Sequence, residues 1–449
     1  MNTGAVRAWL HGAQAPTRPT PSDLTPADEA MLDALQYAAF NYFVGATNLR
    51  NGLVADTTRV GSPSSIAVVG FALSTYPVAV ERGWIPRAHA VQRCLAALHF
   101  FWHSDQSGAA GSTGHRGFYF HFLDMDSGLR VWGSELSSID TALLIVGAMT
   151  AASSFEAASP DETELRALAD ALYRRVDWRW AQRDGGAISQ GWKPECGFLH
   201  YGWDGYDEAV LLYVLALGSP THPLTDAAFE TWTITYQWEN LYGHDFLYAG
   251  PLFTHQFSHA WIDFRGIRDR FMREKDCDYF ENSRRATYVQ REYAIRNPRS
   301  FVGYGEDCWG LSAGDGPSAP PQRVAGRLQS FYGYAARGVP FGPDDGTIAG
   351  PSTLASLVFA PEIVLPVLRG LQACGPGSDG AAIRASGFNA TTEAASREGW
   401  ISAGEFGLDQ GLSVLMIENF RSGLPWRLGR SNPCIRAGLH RAGFKGGWL

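Results

Sequence analysis

The sequence predicts an all-helical protein in which very apolar inner helices are wrapped by amphipathic outer helices, an α/α toroid. About a dozen segments carry apolar residues at helical spacing, and few segments show the alternation of a strand. Very apolar helical segments alternate along the chain with amphipathic ones. A helix that is apolar all round is buried, whereas an outer helix keeps one polar face. Hydrophobic residues make up 45% of the chain, which is enough for a large core.

A loose arm rich in Pro and Thr is expected over residues 1–24, followed by one domain over residues 25–449. Thr25 and Pro26 have the form of an N-cap and a first helical position, which opens ADEAMLDALQYAAFNYFVGAT. The next helices are predicted at SSIAVVGFALSTYPVAVERGW and PRAHAVQRCLAALHFFWHS. No composition break divides the core, and two separate helical domains are the alternative.

The middle of the chain opens with GFYFHFLDMDSGLRVW, a predicted hairpin in which apolar residues alternate around a DSG turn. The apolar helix SSIDTALLIVGAMTAASSF follows. Ser159-Pro160-Asp161-Glu162 then has the form of a capping box at the start of ETELRALADALYRRV. Further helices are predicted at YDEAVLLYVLAL, TDAAFETWTITYQ, FTHQFSHAWIDFRG, DYFENSRRATYVQREYAI, STLASLVFAPEIVLPVLRGL, LDQGLSVLMIENFRSG and PCIRAGLHRAG.

Charge and motif content exclude several classes of protein. The net charge is −8 and no basic run occurs, so nucleic acid and anionic membranes are poor partners. No two of the six cysteines stand at CxxC spacing, and no phosphate or dinucleotide motif is present, so neither a metal nor a cofactor is expected. No segment has the length of a membrane span. Because the N-terminus also lacks the apolar stretch of a signal peptide, we expect a cytoplasmic protein.

Acidic residues stand just before or inside the start of apolar helices. In WGSELSSIDTALL, Glu135 precedes the helix and Asp140 lies about one turn inside it. Helix capping explains Ser137 or Ser138 well. It explains Asp140 poorly, because a carboxylate leading into an apolar run is costly to bury unless it is paired or used.

The segment GWDGYDEAVLLYVLAL crowds Asp204, Asp207 and Glu208 at another helix start. One or two of these acids are explained by the helix dipole. Glu208 directly abuts the apolar stretch, so burial would raise its pKa and keep it protonated, as a general acid requires. Trp203 and Tyr206 of the same segment are candidate substrate-binding residues.

A third acidic helix start is EFGLDQGLSVLMIENFRSG, where Glu405 and Asp409 flank glycines that would let a ligand approach the backbone. The alternative is that these glycines serve only the loop. Glycine-rich loops in GYGEDCWGLSAGDGP and FGPDDGTIAG carry more acids and aromatics. Such acids usually form turns, but together they also suit sugar binding, and the candidate residues are Tyr304, Glu306, Trp309, Asp344 and Asp345.

His255 and His259 lie one turn apart in HQFSHAWIDFRG, a spacing that could bind a metal. The HExxH glutamate and an obvious third ligand are missing, so hydrogen bonding to substrate or a role in the core is favoured. The whole inventory is acidic and aromatic. Glycoside hydrolysis uses such an inventory, with two carboxyl groups on either side of the scissile bond.

At the same segments the chain resembles the glycoamylase-like family, which includes the bacterial endo-β-1,2-glucanases of glycoside hydrolase family 144 and the transglycosylase domains of cyclic β-1,2-glucan synthases. The resemblance runs from about Ala27 to Phe444 and is carried by ELSSIDTALL, GWDGYDEA, AGPLFTHQFSHAWIDFRGIRD, DYFENSRRAT, YGEDCWGL, GPDDGTIA and GLDQGLSVLMIENFRSG. It implies an (α/α)6 barrel that acts on β-1,2-linked glucose chains.

The resemblance also implies roles for four acids. Glu208 falls on the family's general acid, and we expect Glu135, Asp140 and Asp409 around the scissile bond, with one of them as base or nucleophile. The expected activity is hydrolysis of β-1,2-glucan or its oligosaccharides. Transglycosylation, hydrolysis of another β-glycan and non-catalytic glycan binding are the alternatives.

Overall fold

The computed structural model describes residues 18–183, 186–374, 381–392 and 399–449. Most of the expected N-terminal arm, residues 1–17, lies outside the described residues, and the arm's last residues form a short 3₁₀ turn, Pro21–Asp23. The described residues form the helices α1 Pro26–Gly45, α2 Ile66–Glu81, α3 Arg87–His103, α4 Ser138–Ser154, α5 Pro160–Arg175, α6 Trp178–Ala181, α7 Val210–Gly218, α8 Ala227–Thr233, α9 Arg270–Glu274, α10 Tyr279–Arg296, α11 Gly350–Ala355, α12 Pro361–Cys374, α13 Ala381–Arg384, α14 Gly407–Arg421, α15 Leu424–Ser431 and α16 Pro433–Arg441.

Side-chain caps start several of these helices. Thr25 caps α1, where it accepts the Asp28 N–H and the Asp28 carboxylate bonds back to the Thr25 backbone. Ser159 caps α5 as predicted, by accepting the N–H of Glu162. The second half of that predicted capping box does not form. The Glu162 carboxylate instead accepts the N–H of Ala157 and pairs with Arg87 at 2.7 Å, because the arginine of α3 offers a charged partner.

The helices form an inner and an outer set. The inner helices α2, α4, α7, α11 and α14 are buried over nearly their whole length. Helix α2 packs against α4 and α14, α4 packs against α7, and α11 packs against α14. Outside them, α1 covers α14, α5 covers α4, and α16 covers α7. The predicted alternation of apolar inner and amphipathic outer helices therefore matches the packing.

The segment predicted as a helix at FTHQFSHAWIDFRG forms two 3₁₀ turns instead, Leu252–His255 and Phe257–Ala260. Polar side chains here bond to neighbouring helices. Ser258 Oγ accepts the Leu211 N–H at 3.1 Å, and Gln256 Nε2 donates to the Ser352 carbonyl at 2.7 Å. The two turns consequently bridge the space between α7 and α11.

A second predicted helix, STLASLVFAPEIVLPVLRGL, is also interrupted, because it forms α11, a 3₁₀ turn at Ser356–Val358 and then α12, which starts at a proline. The predicted helix TDAAFETWTITYQ ends early, at Thr233. Within the described ranges, no helix has both the length and the apolar character that crossing a membrane demands.

Short antiparallel strands are more numerous than the sequence predicted, although none of those described exceeds four residues. The strands are β1 Ser64–Ser65, β2 Gly114–His115, β3 Phe118–Phe120, β4 Phe122–Leu123, β5 Leu136–Ser137, β6 Gly191–Lys193, β7 Gly197–Phe198, β8 Trp238–Leu241, β9 His244–Leu247, β10 Ala313–Gly314, β11 Gln322–Val324, β12 Arg327–Gln329, β13 Ala335–Ala336, β14 Phe388–Asn389 and β15 Trp400–Ile401. Strands β2, β3, β5, β6 and β7 form one five-stranded sheet in that order, and the others pair two by two.

The predicted hairpin at GFYFHFLDMDSGLRVW is correct only at its tip, where Leu123 forms a bridge with Arg130. Its first strand pairs elsewhere, since β3 joins β2 and β5. These partner strands lie just outside the predicted segment, so alternation within the segment does not reveal the pairing.

Candidate active site

Two adjoining cavities lie where the inner helices begin. The larger has a volume of about 730 Å³ and the smaller about 270 Å³. Asp140, Glu208 and Tyr334 line both cavities, which therefore form one cleft. This volume is in the range of a small-ligand site.

The acids of the cleft come from the N-terminal ends of inner helices. Asp140 lies in the first turn of α4 and Asp409 in the first turn of α14, while Glu208 stands two residues before α7. Partial positive charge at a helix N-terminus favours negative groups there. The structure thus brings together three acids that are far apart in the sequence.

Glu208 is partly protonated at neutral pH. Burial raises its pKa to about 7, and the nearby negative charge of Asp140 adds to this effect. The pKa of the neighbouring Asp207 is also raised well above its usual value, first by burial and then by Glu208. A protonated carboxyl group in a cavity is what proton donation to a substrate requires.

Asp409 lines the smaller cavity with Glu208 and Asp140. Burial raises its pKa to about 7 and the charge of Asp56 contributes, although a hydrogen bond with Ser386 opposes the shift. Asp409 is therefore partly protonated at neutral pH.

His121 lies between two carboxylates. Its Nδ1 is 2.9 Å from Glu135 Oε1, and its Nε2 is 3.6 Å from Asp140 Oδ2. Burial alone would lower the pKa of His121, but Asp140 and Glu135 outweigh it and raise the pKa to about 9. Burial would likewise raise the pKa of Glu135, yet the hydrogen bond from His121 holds it below its usual value. The site therefore contains an imidazolium between carboxylates.

His121, Glu135 and Asp140 are also close enough to hold a metal ion. One possible ligand atom from each lies within 4.8 Å of the other two. In the structure both ring nitrogens of His121 face carboxylates, which satisfies the histidine with protein groups.

Several residues of the cleft were not predicted from the sequence. Asp56 lines the larger cavity, and burial raises its pKa to about 6 even though His121 opposes the shift. Asp56 lies well before the start of α2 at Ile66, so the rule that found the predicted acids, which stand at helix starts, does not find it. The other residues of the larger cavity that were not predicted are His121, Arg59, Trp132, Asp315, Tyr334 and Phe406.

Trp203, Tyr206 and Glu405, which we expected to contact substrate, lie outside the two cavities. Trp203 Nε1 donates to Ser138 Oγ at 2.9 Å, beside the start of α4. The Tyr206 ring packs on His255, with centroids 5.1 Å apart. Glu405 lines a neighbouring cavity of about 910 Å³.

His255, His259 and Trp309 are buried in the core and line neither cavity, so of the two roles favoured for the histidines the structure shows the one in the core. His255 Nε2 bonds to the Ala249 carbonyl at 3.1 Å, and His259 Nε2 lies 3.0 Å from Ser283 Oγ. Burial lowers the pKa of His255 to about 4 and that of His259 to about 3, so both are neutral. Their spacing in sequence suggested a shared face, but 3₁₀ turns direct both rings into the core.

The acids of the glycine-rich loops mainly hold those loops in place. Asp345 is fully buried in a two-bond ion pair with Arg337, at 2.7 and 2.9 Å. Asp344 accepts the hydroxyl of Tyr304 at 2.7 Å, and the exposed Glu306 pairs with Arg291. Neither these acids nor Tyr304 line the two cavities of the cleft, and each of the acids has a partner within the protein.

Several carboxyl groups line one cleft in this helical fold. Enzymes that cleave glycosidic bonds use a pair of such groups. The family described as "Putative glucoamylase" matches residues 200–433 of the chain. The chain belongs to this glycoamylase family, and the membership implied by the sequence segments is confirmed.

Relatives of known name extend the comparison. The chain is 26% identical to the exo β-1,2-glucooligosaccharide sophorohydrolase (non-reducing end) of Parabacteroides distasonis, over 92% of this chain and 58% of that protein. The chain thus spans little more than half of that relative's length. An endo-β-1,2-glucanase of Chitinophaga pinensis, solved with sophorotriose and glucose, has a TM-score of 0.79 at 25% identity and covers 95% of this chain and 100% of its own. A Bacteroides uniformis structure matches at a TM-score of 0.83 and 26% identity, with 95% and 100% coverage.

Proposed function

We propose that the chain is a glycoside hydrolase that acts on β-1,2-glucan or its oligosaccharides. The observation that carries this proposal is the meeting of Glu208 and Asp140 in one cleft, with the pKa of Glu208 at about 7. The named substrates of the two β-1,2-specific relatives support the choice of linkage.

The framework of this enzyme is a single (α/α)6 barrel over residues 25–449. Five inner helices pack in the order α11, α14, α2, α4 and α7. The turn at Phe257–Ala260 supplies the sixth inner segment, because Ser258 bonds to the start of α7 and Gln256 bonds to α11. A barrel of this kind brings the N-terminal ends of its inner segments to one end, where the acids lie.

In the chemical step, Glu208 donates its proton to the bridging oxygen of the scissile bond as general acid. Asp140 is the candidate base, because it lines both cavities and its Oδ2 lies 3.6 Å from Nε2 of His121. Asp409 is less suited to be the base at neutral pH since burial keeps it partly protonated. Glu135 holds His121 in place through its 2.9 Å hydrogen bond.

The test is the Glu208→Gln variant, which keeps the shape of the side chain and removes the transferable proton. We expect turnover of β-1,2-glucan to fall by about 10²–10⁴-fold with the fold intact. Product chromatography on β-1,2-, β-1,3-, β-1,4- and α-1,4-linked glucans determines the linkage. The length of the products separates hydrolysis from transglycosylation.

Glu306→Gln is the matched control, because Glu306 is an exposed glutamate outside both cavities. It should leave turnover unchanged. Near-normal rates for Glu208→Gln would remove Glu208 as the acid, and cleavage of α-1,4-glucan alone would overturn the proposed substrate.

A further inference from the structure

Trp132 is a large aromatic side chain that the fold leaves open to solvent at the wall of the cleft. It is 72% exposed and lines the larger cavity together with Asp56, His121 and Asp140. An isolated exposed apolar residue needs no explanation. An exposed indole beside a group of acids is different, because it offers an apolar face next to hydrogen-bonding groups.

The backbone at Trp132 is in the left-handed region, with φ +58°, and Gly133 follows with φ +56°. A bulky residue rarely adopts a positive φ, and such strain is concentrated at ligand sites. Among the described non-glycine residues with positive φ, Trp132 alone lines either cavity. Glycine would fit this position without strain, so the indole is retained at a cost.

Neighbouring groups hold the strained residue from both sides. The Val131 N–H donates to the Phe122 carbonyl at 3.1 Å, and the Ser134 N–H donates to the Val131 carbonyl at 3.1 Å. The loop is therefore anchored on β4, which begins directly after His121, and the backbone at Trp132 is held in place.

A chain of ring contacts runs from Trp132 to His121, which bonds to one of the acids. The rings of Trp132 and Phe122 have centroids 5.0 Å apart, and Phe122 stacks on His121 at 3.9 Å with an interplanar angle of 15°. His121 in turn bonds to Glu135. A ligand that covers the indole consequently lies one ring away from the charged groups of the cleft.

We propose that Trp132 is a stacking platform for a sugar ring of the bound glucan, next to the residue at the scissile bond. A pyranose has an apolar C–H face that covers an indole, and its rim of hydroxyl groups bonds to carboxylates. The assignment rests on the proposed function and adds a substrate-positioning residue to it. Because the indole holds the substrate and takes no part in proton transfer, it acts on binding and not on turnover.

The experiment compares Trp132→Ala and Trp132→Phe with the unchanged protein on β-1,2-gluco-oligosaccharides of increasing length. For oligosaccharides long enough to reach the platform, we expect Trp132→Ala to raise KM about tenfold with kcat nearly unchanged. Trp132→Phe should restore most of the affinity, since a smaller aromatic face remains. Phe341→Ala is the matched control, because Phe341 is 71% exposed and lines neither cavity.

Calorimetric titration of the Glu208→Gln variant with the same panel of glucans, with and without Trp132→Ala, separates the two proposals. Unchanged affinity for the glucan that binds would overturn the platform and leave the proposed function standing. Loss of affinity for a glucan with another linkage would support the platform and overturn the β-1,2 assignment. Failure of every glucan to bind would overturn both.

Discussion

At the scale of single residues, the raised pKa of Glu208 determines how the rate depends on pH. Because the protonated form is active, kcat/KM should fall as the pH rises through about 7. A pH–rate profile on a β-1,2-gluco-oligosaccharide measures this alkaline limb. The Asp409→Asn variant should keep the limb, although the pKa of Asp409 is also about 7. Loss of the limb in that variant would assign the proton to Asp409 instead.

His121 makes stability depend on pH in the alkaline range. Its pKa is raised from 6.5 to about 9, so its contribution is complete below 6.5 and is lost as the pH rises through about 9. The His121→Asn variant should lack this loss and be less stable than the unchanged protein at neutral pH, by up to about 3 kcal/mol. Urea unfolding across this pH range checks it. Parallel curves for the two proteins would contradict a charged His121.

Cleft residues were predictable from the sequence where a local pattern marks them, and were missed where contacts with other segments place them. Asp140, Glu208 and Asp409 were found because each interrupts the start of an apolar helix. His121 was missed because its neighbours in sequence are aromatic strand residues, and its partner Glu135 is brought to it by the pairing of β3 with β5. The histidines at 255 and 259 illustrate the reverse case, in which suggestive spacing leads into the core.

At the scale of elements, α2 and α4 pack so closely that their contact requires glycine. A Cβ at Gly70 would lie 2.2 Å from the Leu143 carbonyl oxygen, and one at Gly147 would lie 2.1 Å from that of Gly70. Both atoms are backbone, so neither helix can yield without moving as a whole. This explains how two largely apolar inner helices, one of which carries Asp140, lie directly side by side.

Alanine at Gly147 should therefore destabilise the protein by about 1–3 kcal/mol or more, because the helices must separate. Gly370→Ala is the control, since nothing lies within 4 Å of a Cβ at this exposed position of α12. It should stabilise the protein by about 0.5–1 kcal/mol through its better helix propensity. Thermal unfolding measures both changes, and equal effects of the two substitutions would refute the close contact.

Helix boundaries were predictable where a capping side chain or a proline sets them, as at Thr25 and Ser159. The prediction was wrong at Leu252–Ala260, because side-chain bonds to α7 and α11 favour two 3₁₀ turns over a continuous helix. The strands were mostly missed as well. They are two to four residues long, and alternation over so few residues cannot be distinguished from chance.

At the scale of the whole molecule, a buried charge cluster joins the two ends of the chain. Glu418 of α14 is fully buried. Its carboxylate accepts two hydrogen bonds from Arg82, at 2.8 and 3.0 Å, and one from Gln36 of α1 at 2.9 Å. Removing one partner of a buried pair leaves the other without compensation, which is costly. The cluster lies apart from the cleft, so it should matter for stability and not for turnover.

The Glu418→Ala variant should lose about 3 kcal/mol of unfolding free energy while kcat stays the same at temperatures where it is folded. Urea unfolding and steady-state kinetics check the two halves of this statement. Asp126→Ala is the control, because the Arg50–Asp126 pair is 78% exposed at both side chains and should change stability by less than about 1 kcal/mol. Loss of turnover in folded Glu418→Ala would link the cluster to the cleft.

The packing of α1 and α2 against α14 also has a consequence for folding during synthesis. Helices α1 and α2 leave the ribosome with apolar faces that pack against a helix synthesised more than 320 residues later. Until α14 is synthesised those faces stay uncovered, and the nascent chain is exposed to chaperones and to aggregation. Contacts this distant in sequence also slow folding, so α1 and α2 reach their final packing only after α14 has been released.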